Sequence, residues 1–373
     1  MVIRNPVREE YDRIIRFLED AYGHFYNFFP IIYPQSWTQE NTDFSNILII
    51  EENGKICSLV RIFPINLIHN DIKIKIAGIG NVATEFEERG KGFMTILLNQ
   101  AIKKMEKEGY SLSILWGDRH RYINFGYENA GKIINTTITQ RGLEKLRVNS
   151  VSAKKYLGEK EILLKIIDTY NKKNYRIERD EKYFSEIYKK LFICLYYFDQ
   201  SNKFSYVVVN EQGTETKVYE FAGEPETILG ILKYLSERFG KNKFYLEFPN
   251  FYEIPEIILK ATSSWSCSTT GMVKIISLKK TIETFLPLIE KEFPENKEIM
   301  FEIEGKEKVG IKKEDGKIKF IDESSHLIKL KEEEMVRLFF NFSDDFLKID
   351  KDLRDICKTF LPFDLFFPTI DHI

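Results

Sequence analysis

The chain has 373 residues, of which 43% are hydrophobic and 30% charged, a composition typical of a globular protein with a sizeable core. Its 55 lysines and arginines nearly balance 57 aspartates and glutamates, which argues against a protein that binds nucleic acid through bulk positive charge. No stretch is close to the roughly 18 apolar residues of a membrane span, and the first residues lack an apolar signal region, so we expect neither. The length predicts about two to three domains.

The four cysteines, Cys57, Cys194, Cys267 and Cys357, lie far apart and show no CxxC or cysteine–histidine spacing. This pattern predicts reduced, buried cysteines in a cytoplasmic protein, with neither a disulfide framework nor a metal site.

The N-terminal region begins with an amphipathic helix. Asn5 and Pro6 supply a capping residue and a first-turn proline, and Gly23 ends the helical pattern. The aromatic residues 24–37 that follow are broken by two prolines, which indicates a loop or short helical turns. Such a segment either lines a pocket or fills the edge of the core, and both interpretations remain open.

Three antiparallel strands are predicted next, at residues 46–50, 56–68 and 72–83, with an Asn-Gly step in the first turn. The third strand leads into a glycine-rich turn, a helix that extends to about residue 108, and a short buried strand at 112–116. This order predicts a βαβ unit whose two strands are parallel neighbours.

The pattern restarts near residue 150. We predict helices at 159–170, 181–191 and 225–239, and strands at 193–198, 204–209, 218–221 and 244–248. A third region carries predicted helices at 282–293, 332–341 and 350–358, and strands at 298–304, 308–313 and 317–321. We therefore expect domains at 1–150, 151–275 and 276–373, with an apolar C-terminal tail that docks on the rest of the protein.

The turn between the third strand and its helix contains Arg89, Gly90, Lys91 and Gly92. Backbone N–H groups at a helix N-terminus lack partners, and the helix dipole adds partial positive charge, which suits phosphate or pyrophosphate. The glycines permit close approach of a ligand, and the basic side chains add charge. The same kind of turn also serves simply to reverse the chain, and it is neither a GxGxxG nor a Walker loop.

A second motif, GDRHRYINFGY at residues 117–127, follows one helix and one strand later. Together the two motifs resemble the GNAT N-acetyltransferase superfamily, and the three-part layout resembles its Eis-type (enhanced intracellular survival) branch. Met94 departs from the family pattern, which has glycine or alanine there, and Glu87 and Glu88 place negative charge just before the turn.

The resemblance implies an α/β (α+β) fold class. It implies a GNAT acyl-CoA N-acyltransferase fold, a second, degenerate GNAT-like domain without a cofactor site, and a C-terminal sterol-carrier-protein-like α+β domain. It also implies acetyl-CoA as cosubstrate, without a metal. The positions matched to acetyl-CoA binding are Val82, Ala83, Thr84, Arg89, Gly90, Lys91, Gly92, Phe93, Met94, Thr95, Gly117 and Asp118.

The same resemblance implies an N-acetyltransferase in which the acceptor amine attacks the thioester directly in a ternary complex. Tyr122 matches the general acid, and the C-terminal carboxylate, here that of Ile373, matches the general base. The implied acceptor is an aminoglycoside-like, polyamine-like or lysine-like primary amine, and the implied assembly is a homo-oligomer, a hexamer in the Eis-type branch. We expect no nucleic-acid or membrane partner. A non-catalytic CoA-binding or lipid-binding module is the alternative.

Overall fold

Both helices and strands occur in every region of the chain. The computed structural model describes residues 1–70, 72–200, 203–340 and 347–372. The helices in this part are α1 Tyr11–Tyr22, α2 Phe28–Ile32, α3 Pro34–Trp37, α4 Phe93–Lys107, α5 Arg119–Tyr122, α6 Gln140–Lys145, α7 Lys160–Asn171, α8 Glu181–Ile187, α9 Pro225–Phe239, α10 Glu256–Ala261, α11 Leu278–Glu292, α12 Glu332–Phe340 and α13 Lys351–Cys357.

The strands form three sheets. They are β1 Val2–Arg4, β2 Ile47–Glu52, β3 Lys55–His69, β4 Ile72–Thr84, β5 Leu112–Leu115, β6 Glu128–Ala130, β7 Ile133–Thr139, β8 Lys154–Lys155, β9 Tyr175–Ile177, β10 Ile193–Gln200, β11 Lys203–Asn210, β12 Glu215–Ala222, β13 Lys243–Pro249, β14 Thr262–Ser268, β15 Gly271–Ile275, β16 Glu298–Ile303, β17 Lys308–Glu314, β18 Lys317–Ile321 and β19 Leu327–Leu330.

The first sheet has the order β1-β2-β3-β4-β5-β15-β6, with β9 beside β3. Strands β2, β3 and β4 form the predicted antiparallel meander. Strand β4 runs parallel to β5, and α4 connects them, so the predicted βαβ unit is confirmed. Strand β15 comes from much later in the chain and lies antiparallel between β5 and β6.

The second sheet has the order β14-β7-β13-β12-β11-β10-β8. Its parallel pair β12–β13, joined by α9, repeats the βαβ order of the first sheet. Strand β7 comes from the first region but pairs with β13 and β14. The two sheets thus exchange strands: β7 from the first region pairs in the second sheet, and β15 pairs in the first sheet. Local patterns identify a strand, but its pairing partners are selected by tertiary packing.

Helices cover both faces of the first sheet. Along β2, Ile47 and Ile49 pack in the apolar cluster that contains α1, whereas Leu48 and Ile50 pack in the cluster that contains α4. Because successive side chains of a strand point to opposite faces, α1 and α4 lie on opposite sides of the sheet.

The third module shares a core with the first sheet. Its sheet has the order β18-β17-β16-β19, and Phe285, Phe301 and Phe339 belong to the same apolar cluster as Ile76 and Leu112 of the first sheet. Members of the C-terminal tail complete this cluster: Phe360, Leu361, Phe363, Leu365, Phe366 and Phe367. The tail is therefore packed between modules.

Some expectations differ from the structure. Strand β9, which pairs with β3, has no counterpart among the predicted elements, and neither do β14, β19 and α10. The expectation of buried cysteines is wrong for Cys267, which is exposed on the edge strand β14. No helix in the described ranges is long and apolar enough to cross a membrane.

Candidate active site

The end of β4 separates from its neighbour. Within the described residues, β4 and β5 pair from Ile76–Leu112 to Gly78–Ile114. The register between β3 and β4 shifts just beyond this point, where Asn81 adopts a left-handed conformation with φ of 52°. A bulge of this kind bends a strand and redirects its side chains. The last residues of β4 therefore present an edge that β5 does not cover.

The turn at the start of α4 is open to ligands. Gly90 and Gly92 have φ of 83° and 81°, and a Cβ atom on either would have no atom within 4 Å. The first N–H groups of α4 have no partners within the helix. Arg89 lies over the ring of Phe86 at 5.1 Å and donates from Nε to the carbonyl oxygen of Thr84 at 3.3 Å. These residues fit a pyrophosphate group.

The structure accounts for the departures from the family pattern. The carboxylate of Glu88 pairs with the Nζ atom of Lys91 at 2.5 Å, so its charge is matched locally. Glu87 is exposed to solvent. Met94 is half-buried and packs against the apolar cluster under α4, so it does not occupy the turn.

One group of side chains could geometrically hold a metal in the described part of the chain. The ligand atoms of Glu52, Cys57 and Glu88 lie within 4.8 Å of one another. Because Glu88 is already paired with Lys91, we do not assign a metal site to this group.

The ring of Tyr122 packs directly against Gly117, which has no side chain. It is 7% exposed, and a Cβ atom on Gly117 would lie 2.6 Å from its Cε2 atom. Asp118 caps the short helix α5, since its Oδ1 atom accepts from the backbone N–H of His120 at 2.9 Å. Burial raises the pKa of Tyr122, so its hydroxyl keeps its proton through the neutral range.

A cavity of about 360 Å³ lies between the end of β4 and Tyr122. Ile79, Gly80, Asn81 and Val82 of β4 form one side of it, together with Trp116. The N-terminal aromatic segment and the end of α1 form the other side with Tyr22, His24, Phe28, Phe29, Tyr33 and Trp37. Both interpretations left open for residues 24–37 apply, because Phe29 and Trp37 belong to the apolar core beside α1 and also line the cavity.

The C-terminal tail ends beside this cavity. The ring of His372 stacks on Trp116 with ring centroids 4.0 Å apart. Arg179 holds the two carboxylate oxygens of Asp371 at 3.0 and 2.5 Å, and Lys190 donates to the carbonyl oxygen of Ile370 at 2.5 Å. The second module thus anchors the final turn of the chain against the site of the first.

The residues proposed from the sequence are largely brought together. Val82 and Tyr122 line the cavity, and Gly117 lies against Tyr122. The other cofactor positions continue along one path, from the end of β4 through the turn into α4: Ala83, Thr84, Arg89, Gly90, Lys91, Gly92, Phe93, Met94 and Thr95. Ile373 lies outside the described residues.

Most residues of the cavity were not assigned a role from the sequence, among them Trp116, Asn81 and His24. Trp116 directly follows the short strand β5, and Asn81 lies in the bulge of β4 with its Oδ1 atom buried and unpartnered among the described residues. His24 stacks on Phe28 at 3.7 Å, and burial lowers the pKa of its imidazole. The position of His24 in the aromatic segment was the only signal for it, because the five histidines are scattered along the chain.

Comparison with known proteins shows what the first module is similar to. Residues 2–130 match the family model described as an acetyltransferase (GNAT) domain. The N-terminal region is thus similar to a GNAT acetyltransferase domain. The prediction of an N-acetyltransferase enzyme is confirmed, and domains of this kind use an acyl-CoA donor. No curated protein matches the sequence.

Solved structures extend the likeness in fold over the whole chain. A GCN5-related N-acetyltransferase from Kribbella flavida has a TM-score of 0.74 at 14% identity, with 100% of this chain and 98% of that chain covered. One from Anabaena variabilis has a TM-score of 0.73 at 14% identity, with both chains fully covered. Eis1 from Mycobacterium abscessus has a TM-score of 0.68 at 10% identity, with 98% and 100% covered. The predicted α/β fold class with a GNAT fold is confirmed.

Proposed function

We propose that this protein transfers the acetyl group of acetyl-CoA to the primary amine of an acceptor. The main support for the proposal is that three features of the site lie next to one another. The uncovered end of β4, the open turn before α4 and the hydroxyl-bearing Tyr122 belong to one continuous region with a cavity beside it.

Acetyl-CoA would lie along β4 and the turn. The edge of Val82, Ala83 and Thr84 offers backbone groups to the pantetheine arm, and the N–H groups from Gly90 to Thr95 offer donors to the pyrophosphate. Arg89 adds positive charge at the same place. This placement is supported by the open space at both turn glycines.

The chemistry is a direct transfer. The lone pair of the acceptor nitrogen attacks the thioester carbonyl carbon, the new C–N bond forms, and the C–S bond breaks to give an amide and the thiolate of CoA. Backbone N–H groups near Val82 would stabilise the oxyanion of the tetrahedral intermediate. Tyr122 would give its proton to the thiolate, and the raised pKa of Tyr122 keeps that proton available.

The proton of the acceptor ammonium needs a base. We assign it to the carboxylate of Ile373, a role that requires the natural chain to end at that residue. Support comes from His372, which directly precedes Ile373 and stacks on a wall residue of the cavity. The neutral imidazole of His24, in the opposite wall, is the second candidate for this role.

Aminoglycoside-like, polyamine-like and lysine-like acceptors all offer the primary amine that this reaction needs. The hexameric assembly and the sterol-carrier-like identity of the third module are parts of the proposal that rest on family resemblance, and the cytoplasmic location rests on the cysteine pattern. The competing proposal is a module that binds CoA without turnover. The end of β4 and the glycine turn before α4 would also suit that function.

The test is release of free CoA thiol from acetyl-CoA in the presence of a panel of primary amines. The panel includes arylalkylamines, polyamines, aminoglycosides and lysine peptides. Thiol release with at least one amine, and an acetylated product by mass spectrometry, is the expected result. Binding of acetyl-CoA by calorimetry without thiol release from any amine would favour the binding module.

A further inference from the structure

Tyr122 lies on a short segment that leaves the first sheet and returns to it. The one-turn helix α5 follows the loop after β5, and Gly126, with φ of 79°, turns the chain back towards β6. A helix of one turn makes few hydrogen bonds of its own. The position of Tyr122 therefore depends on the contacts that its neighbours make with the surrounding structure.

A buried carboxylate at the start of β6 holds this segment against the sheet. Glu128 is 2% exposed, and its Oε1 atom accepts from Nε of Arg119, on α5, at 2.5 Å. The same Oε1 atom accepts from the backbone N–H of Asn129 at 2.8 Å. Burial alone would raise the pKa of Glu128, but Arg119 and Arg337 bring it below its usual 4.5. The carboxylate is therefore charged at neutral pH.

The second arginine of this cluster belongs to the third module. Arg337 of α12 donates to Oε2 of Glu128 from Nε at 3.0 Å and from Nη2 at 2.7 Å. The guanidinium of Arg119 donates to the same oxygen. Two arginines thus share one carboxylate, and charge-assisted hydrogen bonds of this kind are strong and geometrically specific. A continuous set of contacts therefore leads from α12 through Glu128 to α5.

Helix α12 contacts the segment of Tyr122 at a second point. A Cβ atom on Gly126 would lie 2.6 Å from Oε2 of Glu332, so the turn after α5 packs directly against the first residue of α12. Glu332 also pairs with Lys274, a buried residue of β15 in the first sheet. The third module therefore borders both ends of the segment that carries Tyr122.

Arg337 lies outside the cavity. Neither Arg337 nor Glu128 is among the residues that line it, so neither would touch the donor or the acceptor there. An arginine that only joined two modules would affect every property of the site alike. An arginine that acts through Tyr122 would affect only the step in which Tyr122 takes part.

We propose that Arg337 is a positioning residue for the transfer, which holds Tyr122 in place through Glu128 and Arg119. The inference rests on the proposed function, in which the hydroxyl of Tyr122 protonates the thiolate of CoA. A catalytic group that is displaced by about 1 Å loses much of its effect on the rate. The third module thus contributes to catalysis without contact with either substrate.

Arg337→Met removes the donors and keeps most of the length of the side chain. The protein should remain folded, because Glu128 keeps its bonds from Arg119 and Asn129. We expect kcat in the thiol-release assay to fall by about tenfold, while the KM for acetyl-CoA stays within about twofold of the parent value.

Two further variants make this measurement specific. Arg337→Lys keeps the positive charge and should recover part of the lost rate. Lys329→Met breaks an ion pair between two strands of the third module, and it should leave both kcat and KM unchanged.

The same substitution in a Tyr122→Phe background separates positioning from structural damage. If Arg337 acts through the hydroxyl of Tyr122, removal of that hydroxyl also removes the effect of Arg337. The double variant should therefore have the kcat of Tyr122→Phe to within about twofold. A further fall of about tenfold in the double variant, or no fall in the parent background, would overturn the inference.

Hydrogen exchange of the protein without ligands tests the contact independently of turnover. In Arg337→Met we expect the backbone amides of residues 119–127 to exchange at least about fivefold faster, and those of α4 to exchange at the parent rate. Lys329→Met should change neither. Faster exchange without thiol release from any amine would support the contact, although the proposed function would fail. Unchanged exchange of residues 119–127 would overturn the inference whatever the turnover.

Discussion

Tyr122 combines a buried ring with a hydroxyl group at the cavity. The ring is only 7% exposed and lies against Gly117, where any larger residue would collide with it. Burial penalises the phenolate and therefore raises the pKa of the hydroxyl. A proton donor that stays protonated is what a departing thiolate requires, so we expect no alkaline loss of rate from Tyr122 below about pH 10.

Tyr122→Phe should lower kcat by about 100-fold or more, because the thiolate of CoA would leave without a proton donor. Acetyl-CoA affinity should change little, since the ring is retained. Steady-state kinetics and calorimetry measure the two quantities. Tyr26→Phe removes the hydroxyl from a tyrosine that is 66% exposed and does not line the cavity, and it serves as the control. An undiminished kcat in Tyr122→Phe would remove the general acid from the mechanism.

Deletion of Ile373 should lower kcat/KM at neutral pH by about 100-fold if its carboxylate is the base. Ile373→Ala keeps a carboxylate at the same position and should retain most of the activity. If the deletion has no effect, the base role passes to His24. In that case His24→Gln should abolish the acidic limb of the pH–rate profile, which the lowered pKa of His24 places below its usual 6.5.

At the scale of secondary structure, the important feature is the turn that leads into α4. Its two left-handed glycines leave open space where a Cβ atom would lie, and Lys91 pairs with Glu88 in the same turn. The helix itself is fixed by the apolar cluster that includes Phe93, Leu97 and Leu98. The proposed anion site therefore lies at the start of a well-packed helix, and we expect substitutions there to act on donor binding.

Arg89→Gln should raise the KM for acetyl-CoA by about fivefold, which corresponds to roughly 1 kcal/mol of lost interaction with the pyrophosphate. The kcat value should stay close to that of the parent protein. Lys103→Gln removes a positive charge from an exposed position on the same helix and should leave KM unchanged. Equal KM values for Arg89→Gln and the parent protein would separate Arg89 from the cofactor site.

Across the whole molecule, the modules are tied together by exchanged strands and by the tail. Strand β15 fills the space between β5 and β6 of the first sheet, and the apolar tail belongs to the core shared by the first and third modules. A fully buried ionic cluster, in which Arg179 contacts both Asp371 and Glu220, fixes the end of the tail. The active site therefore depends on residues from all parts of the chain.

A fragment of residues 1–150 should fail to show cooperative thermal unfolding, because β5 and β6 would lack the strand between them. Circular dichroism during heating measures this. Coexpression with residues 151–373 restores β15 and should restore both cooperativity and acetyl-CoA binding. Cooperative unfolding of the fragment alone, with acetyl-CoA binding equal to that of the full chain, would show that the first module is independent.

Arg179→Met should lower the free energy of unfolding by about 3–5 kcal/mol, because two buried carboxylates lose their partner. Arg141→Met, at an exposed position of α6, is the matched control and should change stability little. Denaturant unfolding at pH 7 measures both. A loss no larger than that of the control would show that the cluster does not hold the tail.

The same cluster predicts a pH dependence of stability. Burial alone would raise the pKa of Glu220, but Arg179 and Lys173 bring it below its usual 4.5. A carboxylate whose folded pKa is depressed stabilises the protein above 4.5 and loses this contribution as the pH falls through the folded value. Unfolding measured from pH 6 down to pH 3 should therefore show a smaller acid-induced loss in Arg179→Met than in the parent protein.

The sequence by itself determined the local elements of the site. The glycine spacing at residues 90 and 92 and the helical period of the following segment predict an anion-binding turn, because these features depend on backbone geometry and on nearby residues. The role of Tyr122 as candidate acid came from the family resemblance. The same local rules predict α9 at its observed bounds, Pro225–Phe239.

Tertiary structure alone decided how distant parts combine. Strand exchange between the sheets, the stacking of His372 on Trp116 and the position of Arg61 behind Trp37 all join residues far apart in the chain. Each strand edge or apolar surface has several possible partners in the molecule. A local sequence pattern does not determine which of them it contacts. The proposed donor-binding turn could thus be predicted from the sequence, whereas the cavity beside it is formed only by the fold.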